Sequence, residues 1–336
     1  MMDVKVILYT PDWHERLLSF MVAEYPSRSS SYLNWWLTNL DNGDQENWNK
    51  TIILVMEDKI VGCTTANGMK MLINGREKHV FWRGNTIISN TFRGKGFGKI
   101  LYKEIDQSTS WFSTGITDVA WEIQPKIMSK FVKLAPVNVY ISLNRYILNT
   151  TLNKIGFLKF SSKENYPDTF KLGKKEQFVK ISDFEKVDMP ENGYWMGDGV
   201  EFVRDRDFLQ KRFVDIYRSQ EYHMYTYQVD GKCEGYLVVR KAYLHGIEML
   251  SLVDLRCKQL KWEKRIRLAA VRLARLNKIG IVITLTSRKY SLTAVCPLTF
   301  KMSKELHTAS GDPGMIENTG LLITSADSDL DFVYYK

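Results

Sequence analysis

The same succession of apolar and polar positions occurs twice along the chain. In the first half, Thr51–Glu57 has the apolar character of a strand, Asp58-Lys59 that of a turn, and Ile60–Thr65 that of the returning strand of a hairpin. A third strand is predicted at Val80–Ser89, running directly into Arg93-Gly94-Lys95-Gly96-Phe97-Gly98. Beyond those glycines, Ile100, Leu101 and Ile105 have helical spacing over Lys99–Gln107. Asp118–Ile123 reads as the next strand, followed by helices to about Asn153. Ahead of the hairpin, Val4–Leu8 is strand-like and Pro11-Asp12-Trp13 looks like a turn feeding a helix through Phe20–Ala23. A second helix is predicted at Ser27–Leu40, with Leu33, Trp36, Leu37 and Leu40 on one face, and the polar stretch Asp41–Lys50 is a loop.

The second half repeats this order with different residues. Met224–Val229 is a strand, Asp230-Gly231-Lys232 a turn, and Gly235–Arg240 the return; Glu248–Leu255 follows, then a basic helix over Leu260–Asn277, then an apolar strand at Gly280–Thr286. The period is too long for a solenoid, so the pattern implies duplication of one α/β (α+β) fold in two similar domains. Asp, Glu, Pro and Gly cluster in Asp183–Gly199, which places the expected boundary there and the domains at 1–187 and 188–336.

The 336 residues suit two domains, and 44% hydrophobic with 25% charged residues excludes a disordered or low-complexity chain. The longest apolar runs, such as Ile279–Leu285, fall short of the roughly 20 residues of a membrane span, and the N-terminus lacks the apolar core of a secretory signal. Cys63, Cys233, Cys257 and Cys296 form no C-x-x-C pair, and the five histidines show no ligand spacing, so neither a metal nor a disulfide framework is expected and a reducing cytoplasm is. A net charge of +9 favours an anionic partner. The basic helix, with Lys261, Lys264, Arg265, Arg267, Arg272 and Arg275 around a stripe of Ile266, Ala270, Leu273 and Leu276, reads first as an amphipathic helix with a solvated face.

The glycine segment carries the chemistry. Glycines let a backbone turn sharply and bring its N–H groups against a ligand, and the free N–H groups at the start of the following helix form an anion site. Arg93, Lys95 and Lys99 add positive charge, so a phosphate or pyrophosphate suits this loop. A Walker loop would need a hydroxyl where Ile100 stands, and a dinucleotide fingerprint would follow the first strand of a parallel unit with the spacing G-x-G-x-x-G; neither condition is met.

Arg93-Gly94-Lys95-Gly96-Phe97-Gly98 matches the pattern [R/Q]-x-x-G-x-[G/A] of the GCN5-related N-acetyltransferase superfamily. Thr86-Ile87-Ile88 ahead of the loop resembles that family's fourth strand, and Lys154-Ile155-Gly156-Phe157 resembles its later Gly-Phe motif. The resemblance covers about residues 50–160. It implies two tandem domains of that fold, each a mixed, mostly antiparallel sheet flanked by helices, with an acyl-coenzyme A bound by Ile87, Ile88, Arg93, Gly94, Lys95, Gly96, Phe97, Gly98 and Lys99. The corresponding position in the second half, Asp254–Lys261, has no glycine, so that domain is expected to bind no coenzyme A and to shape a substrate cleft. Such tandem chains resemble the N-acyltransferases of nucleotide-linked amino sugars, such as that of the anthrose pathway, and more distantly the Fem peptidyltransferases and N-myristoyltransferases. The resemblance therefore implies acetyl-coenzyme A or a small hydroxyacyl-coenzyme A as co-substrate, a nucleotide-linked amino sugar as acceptor, and neither nucleic acid nor a membrane span.

The same resemblance points to catalytic positions. A backbone N–H near Ile87, Ile88 or Ser89 would serve the thioester carbonyl. The carboxylate that tandem relatives often carry ahead of the loop arginine is replaced by Asn85, which can orient an amine but cannot take its proton. Glu122, on the predicted neighbouring strand, is an alternative base, against the plainer reading of an exposed carboxylate. The family's acid tyrosine falls at Leu152, and Tyr146 is the substitute on the same predicted helix. The alternation of Asp327, Asp329 and Asp331 reads as a solvated strand or turn.

Overall fold

The computed structural model describes residues 4–26, 28–38, 49–73, 75–108, 110–148, 164–185, 187–190, 195, 199–216, 218–244, 246–288, 298–312, 315 and 322–327. The chain forms two compact units, Met1–Ala135 with Leu306–Asn318, and Pro136–Glu305 with Thr319–Lys336. The sequence position 187/188 thus lies inside the second unit.

In the first unit, β1 (Lys5–Leu8) leads through a short turn at Pro11–Trp13 into α1 (His14–Glu24) and α2 (Ser30–Thr38). β2 (Ile52–Met56), β3 (Lys59–Ile73) and β4 (Arg76–Ile88) pair antiparallel in sequence, with β1 along the free side of β2. After the glycine loop come α3 (Phe97–Ser108) and β5 (Trp111–Ile116), which pairs parallel with β4 at Phe81↔Trp111 and Trp82↔Phe112. α4 (Asp118–Ile123) and the short β6 (Val132–Lys133) follow. Residues 307–310 close the sheet antiparallel to β5. Leu101 and Ile105 of α3, at the spacing read from the sequence, pack with Ile52, Leu54, Val61, Ala66 and Trp111 in the core.

The second unit repeats the order. Its elements are β7 (Val137–Leu143), β8 (Thr169–Lys171), β9 (Glu176–Ile181), β10 (Val200–Phe202), α5 (Arg206–Leu209), β11 (His223–Val229), β12 (Lys232–Leu244), β13 (Ile247–Cys257), α6 (Glu263–Leu276), β14 (Ile281–Thr286) and the first part of β15 (Thr299–Ser310). β9, β11, β12 and β13 pair antiparallel in that order, β14 is parallel to β13, and β7 closes the sheet antiparallel to β14. Pair for pair, this is the arrangement of β1 to β5 with residues 307–310. Each sheet therefore takes its closing strand from the opposite half of the sequence: β7 follows the first unit in the chain but completes the second, and the end of β15 does the converse. On α6, Ile266, Ala269, Ala270, Leu273 and Ala274 are buried while Lys261 just ahead of it, Lys264, Arg272 and Arg275 face solvent.

Three sequence expectations are corrected. Asp118–Ile123 is a helix, because the Thr117 side chain accepts from the Ala120 amide and Asp118 sits in the first turn, where the helix dipole favours an acid. The strand expected there is Trp111–Ile116, and Val137–Leu143, expected as helix, is β7. Asp254–Cys257, read as the second unit's loop, are the last residues of β13.

Candidate functional site

β4 and β5 share a register only at Phe81↔Trp111 and Trp82↔Phe112; beyond that point, past a hydrogen bond from Ser113 Oγ to the Arg83 carbonyl, each strand is paired only on its other side, β4 with β3 and β5 with residues 307–310. The cause lies in β4. Opposite Thr64 the β3–β4 register slips between Cys63↔Ile87 and Thr65↔Gly84, and Asn85, in the extra length, has φ +43°. Asparagine tolerates this left-handed conformation better than most residues. The bulge is fixed on both sides: Thr65 Oγ1 donates to the Gly84 carbonyl at 2.8 Å, and the hydroxyls of Thr64 and Thr86 are bonded at 2.8 Å. Gly84 is a glycine for packing, since a Cβ would come within 3.2 Å of the Trp36 ring.

Past Ile88 the chain makes a tight turn at Asn90–Phe92 and enters the glycine loop. Gly94 and Gly96 have φ +78° and +86°, values that exact glycine. Gly98 does not: its φ is ordinary and a Cβ there would meet nothing within 4 Å. Nothing in the protein itself asks for glycine at that position, whereas a ligand lying against the backbone would. The amides of Gly94, Gly96, Phe97 and Gly98 have no acceptor among the described residues, as expected for the first turn of α3 and the loop that feeds it. No acid occupies that first turn. Arg93, Lys95 and Lys99 are exposed around it, with Arg93 Nε donating to the Ile88 carbonyl at 3.3 Å and Lys95 Nζ lying 4.9 Å from the Phe92 ring centre. Open amides, a helix N-terminus and three cations fit a pyrophosphate.

The structure sorts the residues named from the sequence. Phe97 contributes only its amide, because its ring is buried against Phe92 and the core. The Ile87 side chain is likewise buried. The Ser89 amide donates to the Val61 carbonyl at 3.0 Å, so it is engaged within the sheet. Glu122 sits exposed on α4, not on a strand. Tyr146 belongs to the second unit, in the turn after β7, where Arg145 donates to its hydroxyl at 3.1 Å. Leu152 and the Lys154–Phe157 motif lie outside the described residues, as do Cys296, Asp329 and Asp331.

Other groups at this end of β4 were not apparent in the sequence. The Glu24 carboxylate, at the end of α1, accepts from the Asn90 amide at 3.0 Å. Arg83 is buried between Trp111 and Tyr102, with its guanidinium donating to Gln124 Oε1 at 2.6 Å; burial lowers its pKa to about 10. Only Gly84-Asn85 carried a signal, since a glycine inside a strand pattern marks a bulge.

The equivalent turn of the second unit, Lys258–Trp262, contains no glycine, and Glu263 occupies the first turn of α6, its carboxylate 3.7 Å from Arg288. An acid already sits where an anion would bind. Asp327, expected as a solvated turn residue, is instead fully buried. It pairs with Arg204 and lies 3.7 Å from Arg256, while Asp254 pairs with Arg204 at 2.9 Å and Arg256 at 2.7 Å.

An antiparallel run of strands, a bulged fourth strand splaying from a parallel fifth, and a glycine loop opening a helix together define the fold of the GCN5-related N-acetyltransferases. A probable N-acyltransferase from Enterococcus faecalis V583 shares it at a TM-score of 0.61 and 9% identity, over 91% of this chain and 72% of that one. A GCN5-related N-acetyltransferase from Anabaena variabilis matches at 0.58 and 12% identity over the same shares, 91% and 72%. Saccharomyces cerevisiae N-myristoyltransferase with bound myristoyl-CoA matches at 0.52 and 12% identity, over 92% of this chain and 82% of that one. By sequence, no family model and no curated protein matches.

Proposed function

We propose that the protein transfers an acyl group from coenzyme A to a primary amine, with coenzyme A held by the first unit. The observation that carries this reading is Gly98, a glycine with ordinary backbone angles and open space where its Cβ would stand, beside amides without acceptors. Those amides with Arg93, Lys95 and Lys99 would hold the pyrophosphate, and the opening between β4 and β5 beyond Trp82 and Phe112 would admit the pantetheine arm. The acyl group is acetyl or a small hydroxyacyl. The acceptor is a nucleotide-linked amino sugar destined for a surface polysaccharide, and the reaction is cytoplasmic. What supports the acceptor class is the resemblance of the duplicated sequence to amino-sugar acyltransferases. What supports the setting is that Cys63, Cys233 and Cys257 are free thiols, as a reducing compartment keeps them. The second unit, with Glu263 at the helix start, binds no coenzyme A of its own.

Calorimetry with acetyl-coenzyme A tests the first part: wild-type protein should bind it with an affinity at or below about 1 mM, and no binding there would sink the reading. Thiol release is then followed across nucleotide-linked amino sugars, simple amines and peptides. Release with the sugars alone supports the acceptor assignment, and release with aminoacyl or peptide acceptors alone replaces it by a Fem-like transfer. Loss of turnover with binding retained, in Glu24→Gln or in Glu122→Gln, identifies the proton acceptor. A second reading, a module that binds coenzyme A without catalysis, is favoured by Asn85 standing where a carboxylate is expected and by the exposed position of Glu122. Binding with no thiol release across the whole panel would establish it.

A further inference from the structure

Asn85 Nδ2 is a buried donor with no hydrogen-bond partner. Leaving a buried N–H unpaired costs about 1–3 kcal/mol, so a side chain in this condition calls for an acceptor, which a water or a ligand brings. The local structure fixes the backbone on both sides of Asn85. The carbonyl before it is held by Thr65, the residue after it by Thr64, and its backbone is locked at φ +43°. Thr114 Oγ1 is also buried without a partner. By register both residues lie just past the last shared pair of β4 and β5, where the strands part. An ammonium group, which only donates, does not satisfy an amide N–H; a carbonyl oxygen does. Of the backbone donors that the sequence offered for such an oxygen, near Ile87, Ile88 or Ser89, the Ser89 amide is engaged by Val61.

We infer that the Asn85 side-chain amide donates to the carbonyl oxygen of the bound thioester and stabilises the oxyanion formed during transfer. This rests on the acyl-coenzyme A reading above. The amine nitrogen adds to the carbonyl carbon, and the carbonyl π pair moves onto oxygen, which accepts from Nδ2. Collapse re-forms the carbonyl and breaks the carbon–sulfur bond, and the proton lost by the amine neutralises the departing coenzyme A thiolate. Asn85 keeps its own protons throughout. One donor aimed at a developing oxyanion contributes about 10²–10³ in rate.

Asn85→Gly is the discriminating variant, because glycine accepts the left-handed backbone and removes the side-chain amide; Asn85→Asp keeps the size and replaces the donor by an acceptor. The probe is acetyl-coenzyme A labelled with carbon-13 at the carbonyl, followed by infrared difference spectroscopy, calorimetry and catalysed thioester cleavage. In the wild type the carbonyl band of the bound thioester should lie below that of the free one. In both variants the shift should vanish, and in Asn85→Gly cleavage should fall about 10²–10³-fold, with affinity within about tenfold of wild type. A glycine variant with the wild-type band and rate would show that Asn85 is there only for its backbone angles. Acetyl-coenzyme A bound with an unshifted carbonyl in the wild type overturns this inference alone, whereas failure to bind overturns the acyl-coenzyme A reading and the inference with it.

Discussion

The indole Nε1 of Trp36 donates to Thr65 Oγ1 at 2.8 Å, and the Thr65 hydroxyl in turn donates to the Gly84 carbonyl at 2.8 Å. Both side chains are buried, and Trp36 also packs edge-on against Trp82, 4.8 Å between ring centres. A residue of α2 thereby fixes the bulge of β4, immediately before the left-handed Asn85.

Thr65→Val should break this relay without changing side-chain volume. It leaves the buried Trp36 N–H unpaired and takes a donor from the Gly84 carbonyl, a loss of about 1–3 kcal/mol. Urea denaturation measures that loss. If the bulge serves the site, thioester cleavage should fall by more than acetyl-coenzyme A affinity does; equal falls would show that Thr65 acts only on stability.

Substituting valine at Gly96 and at Gly98 should give different outcomes. At Gly96 the residue is forced to φ +86°, so Gly96→Val lowers the melting temperature by a strain of about 1–3 kcal/mol. Gly98→Val, whose Cβ meets no protein atom within 4 Å, leaves the melting temperature near wild type and still weakens acetyl-coenzyme A binding. Unchanged affinity in Gly98→Val would place the site elsewhere.

In the second unit, Asp327→Ala should be strongly destabilising. Burial by itself raises the pKa of Asp254, but Arg204 and Arg256 outweigh it and hold that carboxyl below its usual range; Asp327 shares the same two cations. Removing one carboxylate leaves buried positive charge uncompensated, at a cost of about 3–5 kcal/mol. Chemical denaturation checks the value, and a cost below about 1 kcal/mol would mean that solvent reaches the network.

Acid should destabilise the protein through His223. Burial, with a smaller contribution from Lys180, lowers its pKa to about 4. An unfolded histidine titrates near 6.5, so between those values the unfolded chain binds more protons than the folded one. The stability is present above about pH 6.5 and is lost as pH falls toward about 4. Asp254, also depressed, acts in the same direction at lower pH. If phenylalanine keeps the stacking on Tyr166, melting temperatures of wild type and His223→Phe should agree above about pH 6.5 and diverge as pH falls toward about 4, with wild type dropping below the variant. Parallel curves would remove His223 as the cause.

How much could be read in advance follows the range of the interactions. The hairpins, the glycine loop and the helices after it depend on neighbours within a few residues, and apolar spacing such as Ile100, Leu101 and Ile105 reports them. Thr117 shows where a local reading failed: Val119, Ala120 and Trp121 look like a strand, yet one capping hydroxyl and the acid after it start a helix. Asp327 shows where no local reading could succeed, because its partners Arg204 and Arg256 are remote in the chain and burial is what turns a surface-like carboxylate into a counter-ion.

The sequence by itself determined that one order of elements occurs twice and that only the first copy carries a glycine loop ringed by cations, since glycines, cations and strand order are local properties. Only the tertiary structure decided which strand closes each sheet, that Asn85 holds an unpaired N–H at a fork between strands, and that the Ser89 amide is taken. Those facts arise when segments distant in the chain compete for the same hydrogen bonds, and that competition is settled by packing.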